Sequence, residues 1–170
     1  MERAVILGLS LTGFTVLHLV ISMIAIAFGF VVAGGLLSSN KLPGWTALFL
    51  ITTILTNATG FLFPFTKLLP SHIVAIISLV LLVIAAYALY SKGLVGKWRL
   101  VYVVTSMLAL WFNVFVLIAQ SFQKVALLNI YAPTGTEPPF AITQGATLAF
   151  FIIVIVAAIR KFRPTPIGIA

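Results

Sequence analysis

The feature that leaves this chain least freedom is the alternation of long apolar runs with short polar breaks, which hold almost all of its ten lysines and arginines. Hydrophobic residues make up 62% of the sequence and charged residues 7%, so the chain cannot cover these runs with its own polar surface; they need lipid. Inside a bilayer no water is available to backbone N–H and C=O groups. A spanning segment must pair them internally, which makes each run a helix. The expected fold is all-α: a polytopic membrane helical bundle forming one transmembrane domain over residues 1–170.

A formal charge of +8 would suggest nucleic acid as the partner of a soluble chain. Here the cations flank apolar spans and do not cluster with aromatics on one face. They read as topology determinants and as contacts for anionic lipid headgroups, and no nucleic-acid partner is expected. The absence of cysteine excludes disulfides, thiolate metal sites, iron–sulfur clusters and thiol nucleophiles. Met1-Glu2-Arg3 and Ala25-Ile26-Ala27 imitate the start and cleavage site of a signal peptide. The apolar stretch between them is about twice a normal h-region and continues past the supposed cut, so it is expected to stay as a first helix.

Helix start and stop signals divide the chain into five spans, at residues 5–37, 45–65, 70–90, 98–123 and 140–160. The first ends at Gly34-Gly35 and Ser38-Ser39-Asn40-Lys41, and the third opens on Pro70, a good first-turn residue. Five crossings put the termini on opposite sides. Lys41, Lys92, Lys97, Arg99, Arg160, Lys161 and Arg163 fall on one side, and Arg3, Lys67 and Lys124 on the other. The positive-inside rule then places the C-terminus in the cytoplasm and the N-terminus outside, with Trp45, Trp98 and Tyr90 at the inner interface. The longest loop, Lys124 to Pro139, lies outside and carries Glu137 among three prolines; it reads as a stiff connector before it reads as a lid. No internal repeat is visible, and an odd number of spans speaks against the inverted repeats of many transporters.

Polar side chains within the spans are the informative ones, because each needs a reason to be in lipid. On the first helix His18, Ser22, Ala25, Gly29 and Ala33 share a face, and the last three form a small-xxx-small ridge that turns His18 into the bundle. Asn57 on the second helix, Asn113 and Gln120 on the fourth and Gln144 on the fifth fall at the middle or in the outer half. The inner half is apolar. The pattern predicts a polar cup, open to the outside and closed within, lined by Ser22, Asn57, Asn113, Gln120 and Gln144. The competing reading is that these amides simply bond helix to helix, and that the threonines and serines bond to the carbonyl one turn back.

His18 and His72 are the only histidines. Both belong to helices running from outside to inside, at similar depth, and neutral imidazoles from two helices are the ligands that haem b takes on its two axial faces. The competing readings are a bundle histidine bonded to Asn57, Asn113 or Gln120 and an interfacial histidine. A metal site of His18, His72 and Glu137 is not expected, since the spacing matches no ligand pattern and the carboxylate sits on a loop. No Asp or Glu lies within a span, no nucleophile has a base and an orienting acid, and no glycine loop cradles phosphate, so the chain leans away from enzymes.

Leu17-His18-Leu19-Val20-Ile21-Ser22, Thr59-Gly60-Phe61-Leu62-Phe63-Pro64-Phe65, Leu69-Pro70-Ser71-His72-Ile73-Val74, and Asn113-Val114-Phe115-Val116 with Gln120-Ser121-Phe122-Gln123-Lys124 resemble a small family of bacterial inner-membrane proteins with no established activity. The resemblance covers most of the chain and implies a multi-pass protein of the bacterial inner membrane. A fainter, fold-level likeness links the chain to small helical membrane proteins with histidines near helix starts, some of them b-type cytochromes. Together these point to a redox-accessory or other non-enzymatic protein that binds a small ligand in the cup, haem b or a quinone headgroup, through His18 and then His72. The alternatives are a structural or assembly subunit, in a homo-oligomer or a larger membrane complex, and a small-molecule transporter or channel, which the apolar inner half disfavours.

Overall fold

The computed structural model describes residues 5–65 and 70–164. Of the cations used to assign sides, Arg3 and Lys67 lie outside the described residues.

The first six described residues do not join the first helix, as the apolar run from Val5 had suggested. Val5–Ile6 (β1) and Leu9–Ser10 (β2) pair antiparallel, with Val5 opposite Ser10. The turn between them, Leu7-Gly8, has φ of 52° and 80°, the handedness that matches the twist of a tight hairpin. Ser10 then starts the helix: its Oγ accepts from the Gly13 N–H at 3.2 Å, satisfying one of the free donors of the first turn. A turn and a cap therefore override hydrophobicity over residues 5–10.

The helices follow as α1 (Leu11–Leu37), α2 (Pro43–Gly60), α3 (Pro70–Ala86), α4 (Lys97–Lys124), α5 (Ala126–Asn129) and α6 (Pro138–Lys161). α3 ends in a single π turn, Tyr87–Ser91. The expected loop after Lys124 contains the one-turn α5, where Asn129 Nδ2 donates to the Phe122 carbonyl at 3.1 Å and folds the segment back on α4.

Four helices are long and apolar enough to cross a membrane: Leu11–Leu37, Pro70–Ser91, Lys97–Lys124 and Pro138–Lys161. The 18-residue α2 is not among them, so by length and apolarity the count is four where the sequence reading had five. The cause is its threonines and Asn57. Their placement is orderly: Thr46, Thr53 and Asn57 are buried, while Trp45, Leu48, Ile51, Ile54 and Leu55 face outward.

α4 is the central helix and touches α1, α2, α3, α5 and α6. The core occupies one end of the bundle, where Val32, Leu36, Phe49, Leu82, Tyr102, Val103, Leu110, Phe151 and Phe162 are buried together. Ala25, Gly29 and Ala33 lie buried on α1 as a close-packing ridge. At Gly29 a β-carbon would overlap Leu110 and sit 3.0 Å from a ring carbon of Phe49, so any larger residue would have to displace the buried Leu110 side chain.

The same end carries the basic cluster. Arg99, in the first turn of α4, donates from Nη1 to the carbonyls of Ile159 (2.9 Å) and Phe162 (2.6 Å). It thereby caps the free C=O groups of α6, the negative end of that helix dipole. The Arg163 N–H donates to Ser39 Oγ at 2.8 Å, joining the α1–α2 turn to the end of α6. Lys92 Nζ lies 5.3 Å from the Tyr87 ring and 5.7 Å from that of Trp98, a cation held between aromatics as at a membrane interface.

Candidate functional site: a cavity among four helices

At the opposite end α1, α2, α3 and α4 stand around a cavity of about 400 Å³. α1 contributes Thr15, His18, Leu19, Ser22, Met23 and Ile26, and α2 contributes Thr56, Asn57 and Gly60, with Phe63 just beyond. α3 supplies Ser71, His72, Val74 and Ala75; α4 supplies Phe112, Asn113, Val116, Leu117, Gln120 and Lys124. Apart from Ile26, just past the middle of α1, and Phe63, the helical residues come from the N-terminal halves of α1 and α3 and the C-terminal halves of α2 and α4. No residue of α6 takes part. Of the residues singled out from sequence, His18, His72, Ser22, Asn57, Asn113 and Gln120 thus share one cavity, and Gln144 is elsewhere.

Gln144 faces α4. Its Nε2 donates to the Phe115 carbonyl at 3.0 Å, and its Oε1 is buried without a hydrogen bond among the described residues. It lies in the right half of the bundle but on a different helix face, and it links α6 to α4.

The two asparagines bond helix to helix at the floor of the cavity. Asn57 Nδ2 donates to the Thr53 carbonyl at 2.9 Å and to Ser78 Oγ at 3.1 Å, joining α2 to α3. Asn113 Nδ2 donates to Thr53 Oγ1 at 3.4 Å, joining α4 to α2. Ser22 Oγ donates to the His18 carbonyl at 2.7 Å, the usual bond of a helical serine one turn back.

His18 is half-buried, and its Nδ1 lies 2.8 Å from Thr59 Oγ1. The ring meets Phe63 edge-on at 5.2 Å and passes over Gly60, where a β-carbon would be 3.8 Å from Cε1. Its Nε2 has no hydrogen bond to the described residues. His72 is 4% exposed and aromatic on both sides: it stacks with Phe61 at 5.4 Å and 18° and leans on Phe65 at 4.4 Å.

Two threonines on the polar side of α2 were read in the sequence as satisfying themselves, as a helical threonine ordinarily does. Thr59 does so, with Oγ1 2.7 Å from the Leu55 carbonyl, and holds His18 as well. Thr56 does not: its Oγ1 is buried beside the cavity with no hydrogen bond among the described residues. The available signal was position: Thr56 lies four residues before Gly60 on the face that also bears Asn57, with Thr59 alongside.

Beyond the cavity end, Glu137 precedes α6. Its Oε1 accepts from the Thr134 N–H (3.0 Å) and hydroxyl (2.8 Å), and its Oε2 from the Thr136 N–H (3.0 Å). Desolvation acts to raise this carboxyl, but these donors prevail and hold it at about 2, well below the usual carboxylate range.

Comparison with protein-family models, curated proteins and solved structures finds no match. The function is therefore argued from the cavity.

Proposed function

We propose that this protein crosses the membrane five times and binds a small amphiphile of the quinone class in the cavity, as a redox-accessory protein. The observation that carries the reading is a cavity of about 400 Å³ in which, among the described residues, Nε2 of His18 and Oγ1 of Thr56 have no hydrogen bond. The volume lies within the range of small-molecule sites, which are apolar pockets with a few converging polar groups. Phe63 and Phe112 bring aromatic surface to the lining, and Lys124 is its only charged residue.

Support for a fifth crossing comes from the two faces of α2. Its polar residues point into the bundle and its outward face is apolar, which suits a helix that meets lipid and shields its threonines. About 27 Å of helix is close to the ~30 Å hydrocarbon core. With seven cations at the core end, the positive-inside rule puts that end and its anionic lipid contacts in the cytoplasm. The cavity then opens near the outer surface of the membrane, which the resemblance places as the bacterial inner membrane.

A second reading, haem b, is favoured by one detail. Thr59 holds Nδ1 of His18, leaving Nε2 as the lone-pair donor that iron requires, the usual outer-shell support of a ligating histidine. Bound there, haem would supply one-electron chemistry, and His72, which lines the same cavity, would be its second ligand.

An absorption spectrum of purified protein from haem-replete cells, before and after dithionite, decides between the two. A compound of the quinone class, in its oxidised or reduced form, in the lipid extract of the protein, with no Soret band, is the result expected. A Soret band with α and β bands on reduction gives the site to haem. Replacing His18 by alanine should empty the cavity; unchanged ligand content in that variant would sink the site.

A further inference from the structure

Resting on the reading of the cavity as a ligand site, we infer that it discriminates between the oxidation states of its ligand: it takes the hydroxyl-bearing, reduced head and rejects the carbonyl-bearing, oxidised one. The inference follows the position of one hydrogen. Thr59 has a single hydroxyl hydrogen. Its Oγ1 lies 2.7 Å from the Leu55 carbonyl oxygen and 3.1 Å from that of Thr56, atoms that can only accept. The hydrogen is therefore engaged by the backbone of α2. The same Oγ1 is 2.8 Å from Nδ1 of His18 and has only lone pairs to offer there. Nδ1 must carry the ring hydrogen.

A neutral imidazole has one such hydrogen, so Nε2 presents a bare lone pair. Turning the ring over would put Cδ2 where Nδ1 stands and lose the bond to Thr59. A ligand hydroxyl set before Nε2 donates to it. A carbonyl set there brings lone pair against lone pair and leaves two polar atoms unmatched in an apolar wall. Thr59 is thus a positioning residue. It acts through His18, and by fixing the tautomer it fixes which state of the ligand is held.

The test uses the full chain in lipid nanodiscs, in alkaline buffer where imidazole is neutral, titrated with durohydroquinone under reductant and, separately, with duroquinone. The hydroquinone should bind about tenfold more tightly or better, the effect of one hydrogen bond made against one refused. In Thr59→Val the acceptor for Nδ1 is gone, the ring hydrogen is free to move to Nε2, and the ratio should fall to about one or invert while binding persists. Thr59→Ser keeps the oxygen and should keep the ratio. Equal affinities in the wild type, or an unchanged ratio in Thr59→Val, overturn the inference and leave the ligand site standing. If neither compound binds, the ligand site itself has failed and the inference falls with it.

Discussion

The two ends of the bundle are made by the same helices and solve opposite problems. At the basic end the helices close on one another, and Phe49, Tyr102, Val103, Leu110 and Phe162 are buried together. Small residues on α1 allow that approach, and the few polar groups there, such as Ser106 and Thr46, bond to carbonyls of their own segments. At the other end His18 and the two asparagines tie neighbouring helices together around a cavity, and Thr56 Oγ1 has no hydrogen bond among the described residues. Burying an unmatched polar atom costs about 1–3 kcal/mol, a cost that a ligand bound beside Thr56 would relieve. The difference teaches that hydrophobic packing sets where this bundle is shut, and polar side chains set where it stays open.

The sharpest way to break that contrast is to disturb the closed end. Gly29→Ala places a methyl against Leu110 and Phe49, both fully buried. Overpacking of this kind costs about 1–3 kcal/mol, visible as a lower midpoint in SDS unfolding from mixed micelles. An unchanged midpoint would mean that α1 and α4 are not locked there. The next effect belongs to the floor of the cavity. Asn57→Ala removes the bond to Ser78 and should cost about 0.6–2 kcal/mol, as interhelical bonds in membranes do. Because Asn57 also lines the cavity, it should weaken ligand binding, which Gly29→Ala should leave nearly untouched if the ends are independent.

Each end also has one charged device, and these should respond differently. Arg99→Leu frees the carbonyls of Ile159 and Phe162 and should cost about 1 kcal/mol, the scale of a helix-end charge. Faster hydrogen exchange confined to the last turn of α6 would confirm the cap. Glu137 is a question of pH. Its folded value of about 2 lies below the ordinary 4.5, so what it contributes to loop order is complete above about 4.5 and is lost as pH falls toward 2. The carboxyl resonance of Glu137 should therefore titrate near 2. A midpoint near the ordinary value would mean that the Thr134 and Thr136 donors are not held.

The helices were legible because lipid imposes a simple rule: apolar runs and their caps place α3, α4 and α6 within a few residues of the structure. The hairpin at residues 5–10 was not, since Val5, Ile6 and Leu9 continue the apolar run and only Gly8 and Ser10 hint at a turn and a cap. α2 was legible as a helix, but its average apolarity says less than its two faces, because burial depends on the face. The cavity was half legible. Depth could be counted along each helix, which gathered His18, His72, Asn57, Asn113 and Gln120. Helix rotation could not, and Gln144 points to Phe115 instead. Thr56 and Thr59 are the same residue one turn apart, and only the packing of His18 on Gly60 makes one a partner and leaves the other unmatched.

The smallest expected effect is the most discriminating, because it repeats the first substitution at the other end. Gly60→Ala adds the same methyl to a helix, but the nearest atom outside its own surroundings is His18 Cε1 at 3.8 Å, an ordinary contact. Nothing must move. Alanine also removes the backbone freedom that glycine gives the unfolded chain, so the substitution should be neutral or stabilising by up to about 1 kcal/mol. The same chemical change would then lower the SDS midpoint at Gly29 and hold or raise it at Gly60. Ligand affinity supplies the second reading: a methyl under the His18 ring should leave Nε2 in place and binding within about twofold, well under the tenfold of one hydrogen bond. If Gly60→Ala instead destabilises as much as Gly29→Ala, the cavity end is packed as tightly as the core, and the volume there is closed by contacts that the helices make in the membrane.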